Sequence, residues 1–275
     1  MTEQQPQTDP LEQWTPSGID VSVPSIARVY DAVLGGKDNF ASDRAAAAEL
    51  LAAVPDAQRT ALINRQVLSR GVRFMAEQGI DQFIDLGSGL PSAENTHQVA
   101  QRHNPDAAVV YVDIDPIVLA HGRAILADSP RTRVVTADAT EPERVLALPE
   151  VRELIDFDRP VGLLMVAIVH HLEDAQDPAG IVKTYLDALP SGSYLFLTHF
   201  FANGSREAED IERVLHGAHN TGRFRSREEI EGFFAGLDVV EPGIGYLPLW
   251  RPEGPVEDPL PMSQQLLLGG IGKKP

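Results

Sequence analysis

Short, largely apolar runs alternate with helix signals through the middle of the chain, and this alternation constrains the fold most. QFIDLG (82–87), AVVYVDID (108–115), TRVVTAD (132–138), PVGLLMVAIV (160–169) and SYLFLTHF (193–200) are the runs. Strands buried on both faces read as continuous apolar stretches, whereas half-solvated strands alternate with polar residues. Between and after them lie a helical segment from Ser92 to about His103, a helix opened by Pro116, and a capping box at Thr140-Glu141-Pro142-Glu143. Asp177-Pro178 opens another helix, and helices near 205–216 and 226–235 follow, the last with Ser226 and Glu229 as a second capping box. LDVVEP (237–242) and QQLLLGGIG (264–272) read as late strands. The pattern predicts an α/β protein with a doubly wound, largely parallel sheet covered on both faces.

Three helices precede the first strand. PSIARVYDAVLGG sets Ile26, Val29, Tyr30, Val33 and Leu34 at helical spacing, and Gly35-Gly36 ends the run. A second helix starts near Ser42 and stops before Pro55; a third has Asp56 as N-cap, reaches about Gln78 and stops at Gly79. Residues 1–23 carry no basic residue and read as a flexible tail. With no repeat and no interdomain linker, 24–275 reads as one domain, with 24–79 a helical cap or lid and 80–275 the core.

Composition removes whole classes of function. The chain of 275 residues has no cysteine, which excludes a disulfide scaffold, thiolate catalysis and cysteine-ligated metal. Lys plus Arg total 23 against 40 Asp plus Glu, a net charge of −17 that repels phosphate backbones and argues against nucleic acid as partner. No apolar run approaches the ~20 residues of a membrane span, and the N-terminus lacks a secretory pattern, so a cytoplasmic protein away from membranes is expected. GxSxG and GxxxxGK[ST] are absent, which argues against a serine hydrolase and a P-loop enzyme. Oligomeric state leaves no mark in the sequence.

In an open parallel sheet the ligand sits beyond the carboxyl ends of the strands. After the first strand stands Asp85-Leu86-Gly87-Ser88-Gly89-Leu90-Pro91-Ser92, where two glycines permit a tight turn and close approach of a ligand. The third glycine of a dinucleotide fingerprint is replaced by Ser92. After the second strand comes Asp113 with Ile114, roughly 20 residues beyond the glycine loop, where a carboxylate can accept from both hydroxyls of a ribose. After the third comes Asp138, able to accept from an exocyclic amine, with the Ala139 N–H able to donate to a ring nitrogen: an adenine-shaped site. After the fourth, Ala167-Ile168-Val169 leads to His170 and His171, candidate general bases or acceptor-positioning groups. His170 is nearer the strand end, and only one of the two is expected to point into a cleft. A metal is not expected, since no third ligand stands at a recognisable spacing.

These four strand ends together resemble the class I S-adenosylmethionine-dependent methyltransferases: Asp85-x-Gly87-x-Gly89 their first motif, Asp113 the ribose acid, Asp138 the acid at the adenine amine, and His170-His171-Leu172 the segment lining the methyl-transfer cleft. ARVYDAVLGGKDNF, FIDLGSGLPS, VVYVDIDPIVLAHGRAIL, VHHLED and PLWRP resemble, more narrowly, a bacterial and chiefly actinomycete family of S-adenosyl methyltransferases of unassigned substrate, over about residues 17–274. The resemblance implies a Rossmann-like seven-stranded sheet with the last strand antiparallel, S-adenosyl-L-methionine as cofactor and S-adenosyl-L-homocysteine as product. Val-His-His-Leu stands where amino-nucleotide methyltransferases carry Asn/Asp-Pro-Pro-aromatic. With the acidic composition, this favours a small-molecule O, N or C nucleophile as acceptor. A non-catalytic S-adenosylmethionine-binding sensor or assembly module would share every cofactor residue, and an NAD-dependent dehydrogenase is the weaker rival. The N-terminal block reads as a lid that sets Tyr30 and Asn39 over the methionine end of the cofactor, with Lys37 or Arg28 near its carboxylate.

Overall fold

The structure, a computed structural model, describes residues 20–91, 94–125, 129–219 and 221–275. Three helices come first: α1 (Ile26–Val33), α2 (Ala41–Ala53) and α3 (Ala57–Glu77). The alternating region follows with β1 (Gln82–Leu86), α4 (Thr96–His103), β2 (Ala108–Asp113), α5 (Pro116–Ile125), β3 (Thr132–Thr136), α6 (Pro142–Ala147), α7 (Pro149–Leu154) and β4 (Gly162–Val166). The chain ends with α8 (Pro178–Asp187), β5 (Tyr194–Phe200), α9 (Arg206–His219), α10 (Arg227–Gly232), β6 (Asp238–Val239), β7 (Gly245–Tyr246) and β8 (Leu267–Lys273).

The strands form one sheet in the order β3-β2-β1-β4-β5-β8-β6, with β7 also paired to β8. The pairs among β1 to β5 are parallel, and β8 runs antiparallel to β5 from Tyr194↔Lys273 to Phe200↔Leu267. The expected count of seven is corrected to eight among the described residues. Beside β8 the late segment pairs only at Asp238–Val239, and Gly245–Tyr246 pairs farther along the same strand. Pro242 has no N–H for the ladder and Gly243 sits at φ +93°, so one edge strand becomes two short ones.

Alternate side chains of each buried strand feed two cores. On one face Phe83, Val109, Leu164 and Phe196 pack under Leu68, Val72 and Met75 of α3 and Val99 of α4. Helix α3 lies close enough at Gly71 that a Cβ there would sit 2.2 Å from the Phe196 ring. On the other face Ile84, Val110, Leu163 and Leu195 pack under Val145 of α6, Val151 of α7 and Tyr185 of α8. The cap is fastened to the core: Leu50, Leu51 and Val54 at the end of α2 join Ala208 and Ile211 of α9 in one apolar cluster.

Some local expectations shift. Helix α4 starts at Thr96 with Asn95 as N-cap, and the Asn95 N–H donates to Gln98 Oε1 at 2.8 Å; the expected start, Ser92, lies outside the described residues, as do residues 1–19 of the tail. The Ser226–Glu229 box forms in both directions. The Thr140–Glu143 box does not: the Thr140 N–H and hydroxyl both donate to Asp138 Oδ1, at 2.8 and 2.7 Å, so Thr140 turns back toward the strand end. Asp56 makes no side-chain cap hydrogen bond. No helix among the described residues is long and apolar enough to cross a membrane.

Candidate functional site

Strand order reverses between β1 and β4, so the chain diverges to either side there and leaves a crevice at the carboxyl ends. A cavity of about 870 Å³ occupies it. Its floor is the ends of β1 to β4, and α1, α2, α3 and α9 form its cover.

The glycine loop after β1 is held by its neighbour strand. The N–H groups of Gly87 and Ser88 both donate to the Val112 carbonyl, at 2.8 and 3.2 Å. Gly87 and Gly89 stand at φ +67° and +66°, a region that glycine enters without steric cost. A Cβ on Gly87 would strike Ile168, whereas one on Gly89 would meet nothing within 4 Å: the loop is packed behind and open in front. The buried Ser88 hydroxyl has no hydrogen-bond partner. Asp85 is buried beneath the loop and accepts from the Thr96 hydroxyl at 2.6 Å. Burial pushes its carboxyl up to about 6, against the Thr96 hydrogen bond and the charge of Arg65.

At the end of β2, Asp113 is buried on the cavity wall. Its Oδ2 accepts from the Gly89 N–H at 2.8 Å and its Oδ1 from the Asp115 N–H at 2.9 Å. Burial raises its carboxyl above the ordinary range, partly offset by those N–H groups. Ile114 beside it is 66% exposed, an apolar side chain left uncovered at the cavity. At the end of β3, Asp138 has only its Oδ1 engaged, by Thr140, and Ala139 lies next to it on the wall.

At the end of β4 the backbone turns sharply. Ala167 lies at φ +56°, a left-handed conformation that costs a non-glycine residue about 1–3 kcal/mol. It is held there by Thr198 of β5, whose hydroxyl takes the Ala167 N–H at 2.9 Å and donates to Asn64 Oδ1 of α3 at 2.8 Å. The turn delivers both histidines to the cavity, correcting the expectation that only one could face it. Their rings lie 4.3 Å apart, tilted by 49°. His171 Nδ1 sits 3.1 Å from the Thr221 hydroxyl. His170 is buried against the Phe200 ring, and its Nδ1 has no hydrogen-bond partner. Burial, then the neighbouring His171, His199 and Arg225, hold its imidazole well below the ordinary value, so the ring is neutral at physiological pH.

Sequence reasoning missed what holds this turn. Arg225, buried, donates to the carbonyls of Val169 and Leu172, at 3.3 and 2.9 Å, and to Asp174 Oδ1 at 2.8 Å. It also lies 3.0 Å from His199 Nε2; the guanidinium can only donate, so Nε2 accepts and Nδ1–H donates to the Phe200 carbonyl at 2.8 Å. The Arg223 N–H donates to the His170 carbonyl at 2.7 Å. Nothing in residue spacing announces these contacts; the one local hint is an arginine set between Phe224 and the helix cap Ser226.

The N-terminal block divides. Tyr30 lines the cavity, donating its hydroxyl to the Ala61 carbonyl at 3.0 Å. Arg28 lines it too, but is turned onto two acids: its Nε lies 3.2 Å from Asp43 and 3.6 Å from Asp115. Lys37 is exposed and off the wall, because the turn at Gly35-Gly36 carries it outward. Asn39 is buried but also off the wall; its amide donates to Asp31 Oδ2 at 2.8 Å and to the Gly36 carbonyl at 3.1 Å, which closes that turn. The structure therefore does not bring Lys37 and Asn39 to the cavity.

Comparison with known proteins bears on this arrangement. The family described as S-adenosyl methyltransferase matches residues 12–275. No curated protein matches. The chain is 51% identical to a candidate methyltransferase from Thermobifida fusca YX, over 95% of this chain and 98% of that one, with a TM-score of 0.91. It is 38% identical to a DUF574 family protein from Streptomyces avermitilis MA-4680, over 93% and 99%, with a TM-score of 0.89. A likeness of fold alone, at 12% identity and a TM-score of 0.50, covers 90% of this chain and 99% of the N-methyltransferase NodS from Bradyrhizobium japonicum WM9, solved with S-adenosyl-L-homocysteine. With the family match spanning nearly the whole sequence, the chain belongs to the S-adenosyl methyltransferase family and is an S-adenosylmethionine-dependent enzyme.

Proposed function

We propose that this cavity transfers the methyl group of S-adenosylmethionine to a small-molecule nucleophile held beside His170 and His171. The observation that carries the reading is continuity: one space of about 870 Å³ touches the three strand-end carboxylates and the histidine pair. That volume is toward the upper end of the roughly 300–1,000 Å³ of small-molecule sites, so donor and acceptor can lie side by side.

The residues suit the donor. Gly89 offers open space where a side chain would otherwise stand, and Ser88 offers an unpartnered hydroxyl. Asp113 would accept from the ribose hydroxyls with its remaining lone pairs, Ile114 would cover an adenine face, Asp138 Oδ2 would take the exocyclic amine and the Ala139 N–H a ring nitrogen. Asp85 and Ala167 would border the methionine end, and Tyr30 would close it from above. When bound, the sulfonium supplies an electrophilic methyl on a good leaving group. The chain then has to position the nucleophile, exclude water and accept a proton. His170, neutral and with an unpartnered nitrogen, is the preferred acceptor of that proton, and His171 the alternative.

Incubation with methyl-labelled S-adenosylmethionine and a pooled actinomycete metabolite extract tests this reading. Label should appear in an extracted small molecule and decline in His170→Ala. Tight donor binding with no label leaving it would instead indicate a sensor or assembly module.

A further inference from the structure

Neighbouring strands lie about 4.8 Å apart, so the cavity's reach from Asp138 after β3 to Leu267 at the start of β8 spans five strand steps, roughly 24 Å. The donor groups named above cluster at the ends of β1 to β4, which leaves the stretch over β5 and β8 for the acceptor. Its walls are Leu50 of α2, Ala61 of α3, Phe200 of β5, Ile211 and Leu215 of α9, and Leu267 of β8.

The polar residues there are turned into the protein. The Thr60 hydroxyl donates to the Ser263 carbonyl at 2.8 Å, Tyr30 to the Ala61 carbonyl, and Asn64 Oδ1 receives Thr198, while the Thr221 hydroxyl is engaged by His171 Nδ1 at 3.1 Å. The charged groups on the cavity wall are held elsewhere. Arg28 is paired with Asp43 and Asp115, Arg65 reaches the Glu94 carbonyl at 3.2 Å, and Asp31 takes the Asp38 N–H and the Asn39 amide. Asp20 is tied to Ser22, and the remaining acids sit at the ends of β1 to β3. Among the described residues this stretch offers no counter-ion to a buried charge, and an unpaired buried charge is strongly penalised. What it does offer is a pair of imidazoles at one end of an apolar chamber.

We infer that the methyl acceptor is an uncharged, largely apolar molecule of the phenol class, its ring body against Phe200, Ile211 and Leu215 and its hydroxyl at the His170–His171 pair. This rests on the methyl-transfer reading above. A phenol is favoured over an aliphatic alcohol because its O–H, near pKa 10, gives its proton to a neutral imidazole more readily. It is favoured over an alkylamine because the amine would enter as an ammonium. In the reaction the acceptor oxygen forms the new O–CH₃ bond as the methyl's bond to sulfur breaks and its electron pair stays on sulfur. The hydroxyl proton goes to the imidazole and then to solvent.

Binding to the protein saturated with S-adenosylhomocysteine separates this from catalysis. Three probes of one shape are titrated calorimetrically: 2-naphthol, 2-naphthoate and the ammonium of 2-naphthylmethylamine. Naphthol should bind at least tenfold tighter than either charged analogue. Leu215→Glu should abolish that preference while S-adenosylhomocysteine affinity stays within about threefold, which also reports that the variant is folded; if it does not fold, the wild-type probe series decides alone. Equal or tighter binding of a charged probe, no binding of naphthol, or naphthol displacing S-adenosylhomocysteine would each overturn the acceptor assignment while leaving methyl transfer standing. Failure of S-adenosylhomocysteine itself to bind would remove the underlying reading and the assignment together.

Discussion

The carboxylate of Asp113 accepts the backbone N–H of Gly89 at 2.8 Å, so the acid proposed to grip a ribose also fastens the loop over which the donor would lie. One side chain thus shapes two walls of the site. Asp113→Ala should weaken S-adenosylhomocysteine binding by roughly ten- to a hundredfold, the equivalent of about 1.5–3 kcal/mol for a hydrogen bond to a charged group. Calorimetric titration of the folded variant measures it. Unchanged affinity would remove Asp113 from the donor site.

The buried trio Arg28, Asp43 and Asp115 joins the N-terminal cap to the turn after β2. Arg28→Met strands two buried acids, and breaking such a pair on one side costs about 3–5 kcal/mol. Proteolysis within residues 24–44 should accelerate at least tenfold. Adding Asp43→Asn should recover part of the loss, because one orphaned charge is removed. If the double variant opens faster than the single one, the trio is not what holds the cap.

Arg225 is a positioning residue: it reaches the carbonyls on either side of the histidine pair and touches no part of the proposed donor site. Arg225→Lys keeps the charge but lacks the fork that serves several acceptors at once. Amide exchange of residues 169–172 should rise roughly ten- to a hundredfold, the loss of one charged hydrogen bond at about 1.5–3 kcal/mol. S-adenosylhomocysteine affinity should stay within about threefold while turnover drops. Exchange unchanged in this segment would contradict the role.

Much of this was legible in the sequence, for a definite reason. Buried parallel strands are largely apolar, so Asp85 within β1, Asp113 closing β2 and Asp138 just past β3 stand out, and chain direction puts all three toward the carboxyl end of the sheet. The same logic found the histidine pair. Contacts that join distant segments left no such trace: Arg225 meets Val169 and Leu172, and Thr198 meets Asn64, only because β4, β5 and α3 are neighbours in space. For Lys37 and Asn39 the block's variety of side chains does not say which way each points. Asp31, accepting from the Asp38 N–H and from Asn39, draws that turn inward on itself.

Acid should act on the histidines in a direction fixed by their burial. Burial holds His199 at about 3 in the fold, against about 6.5 unfolded. The native state therefore binds fewer protons than the unfolded chain between these values. The stability is complete above pH 6.5 and declines as pH falls toward 3, by at most about 1.4 kcal/mol per pH unit. Asp85, held up to about 6, works the other way between about 4 and 6, since there the native state keeps the extra proton. Replacing His199 with Gln isolates the first effect: relative to wild type, the variant should gain stability steadily from pH 6.5 to 4.5 in urea melts, with a constant difference above pH 7. A difference that ignores pH throughout would show that His199 titrates normally. His170, held below the ordinary value as well, should let turnover persist beneath pH 6.5 before it falls.

A crystal structure of the protein soaked with S-adenosylhomocysteine would fix where each part of the donor lies. The adenine is expected between Ile114 and Ala139, the ribose hydroxyls on Asp113, the methionine end over Ser88 and Gly89, and the sulfur facing the histidine pair across the apolar chamber. Ligand density with the sulfur turned away from His170 and His171, or a ligand bound outside the crevice between β1 and β4, would contradict methyl transfer in this cavity.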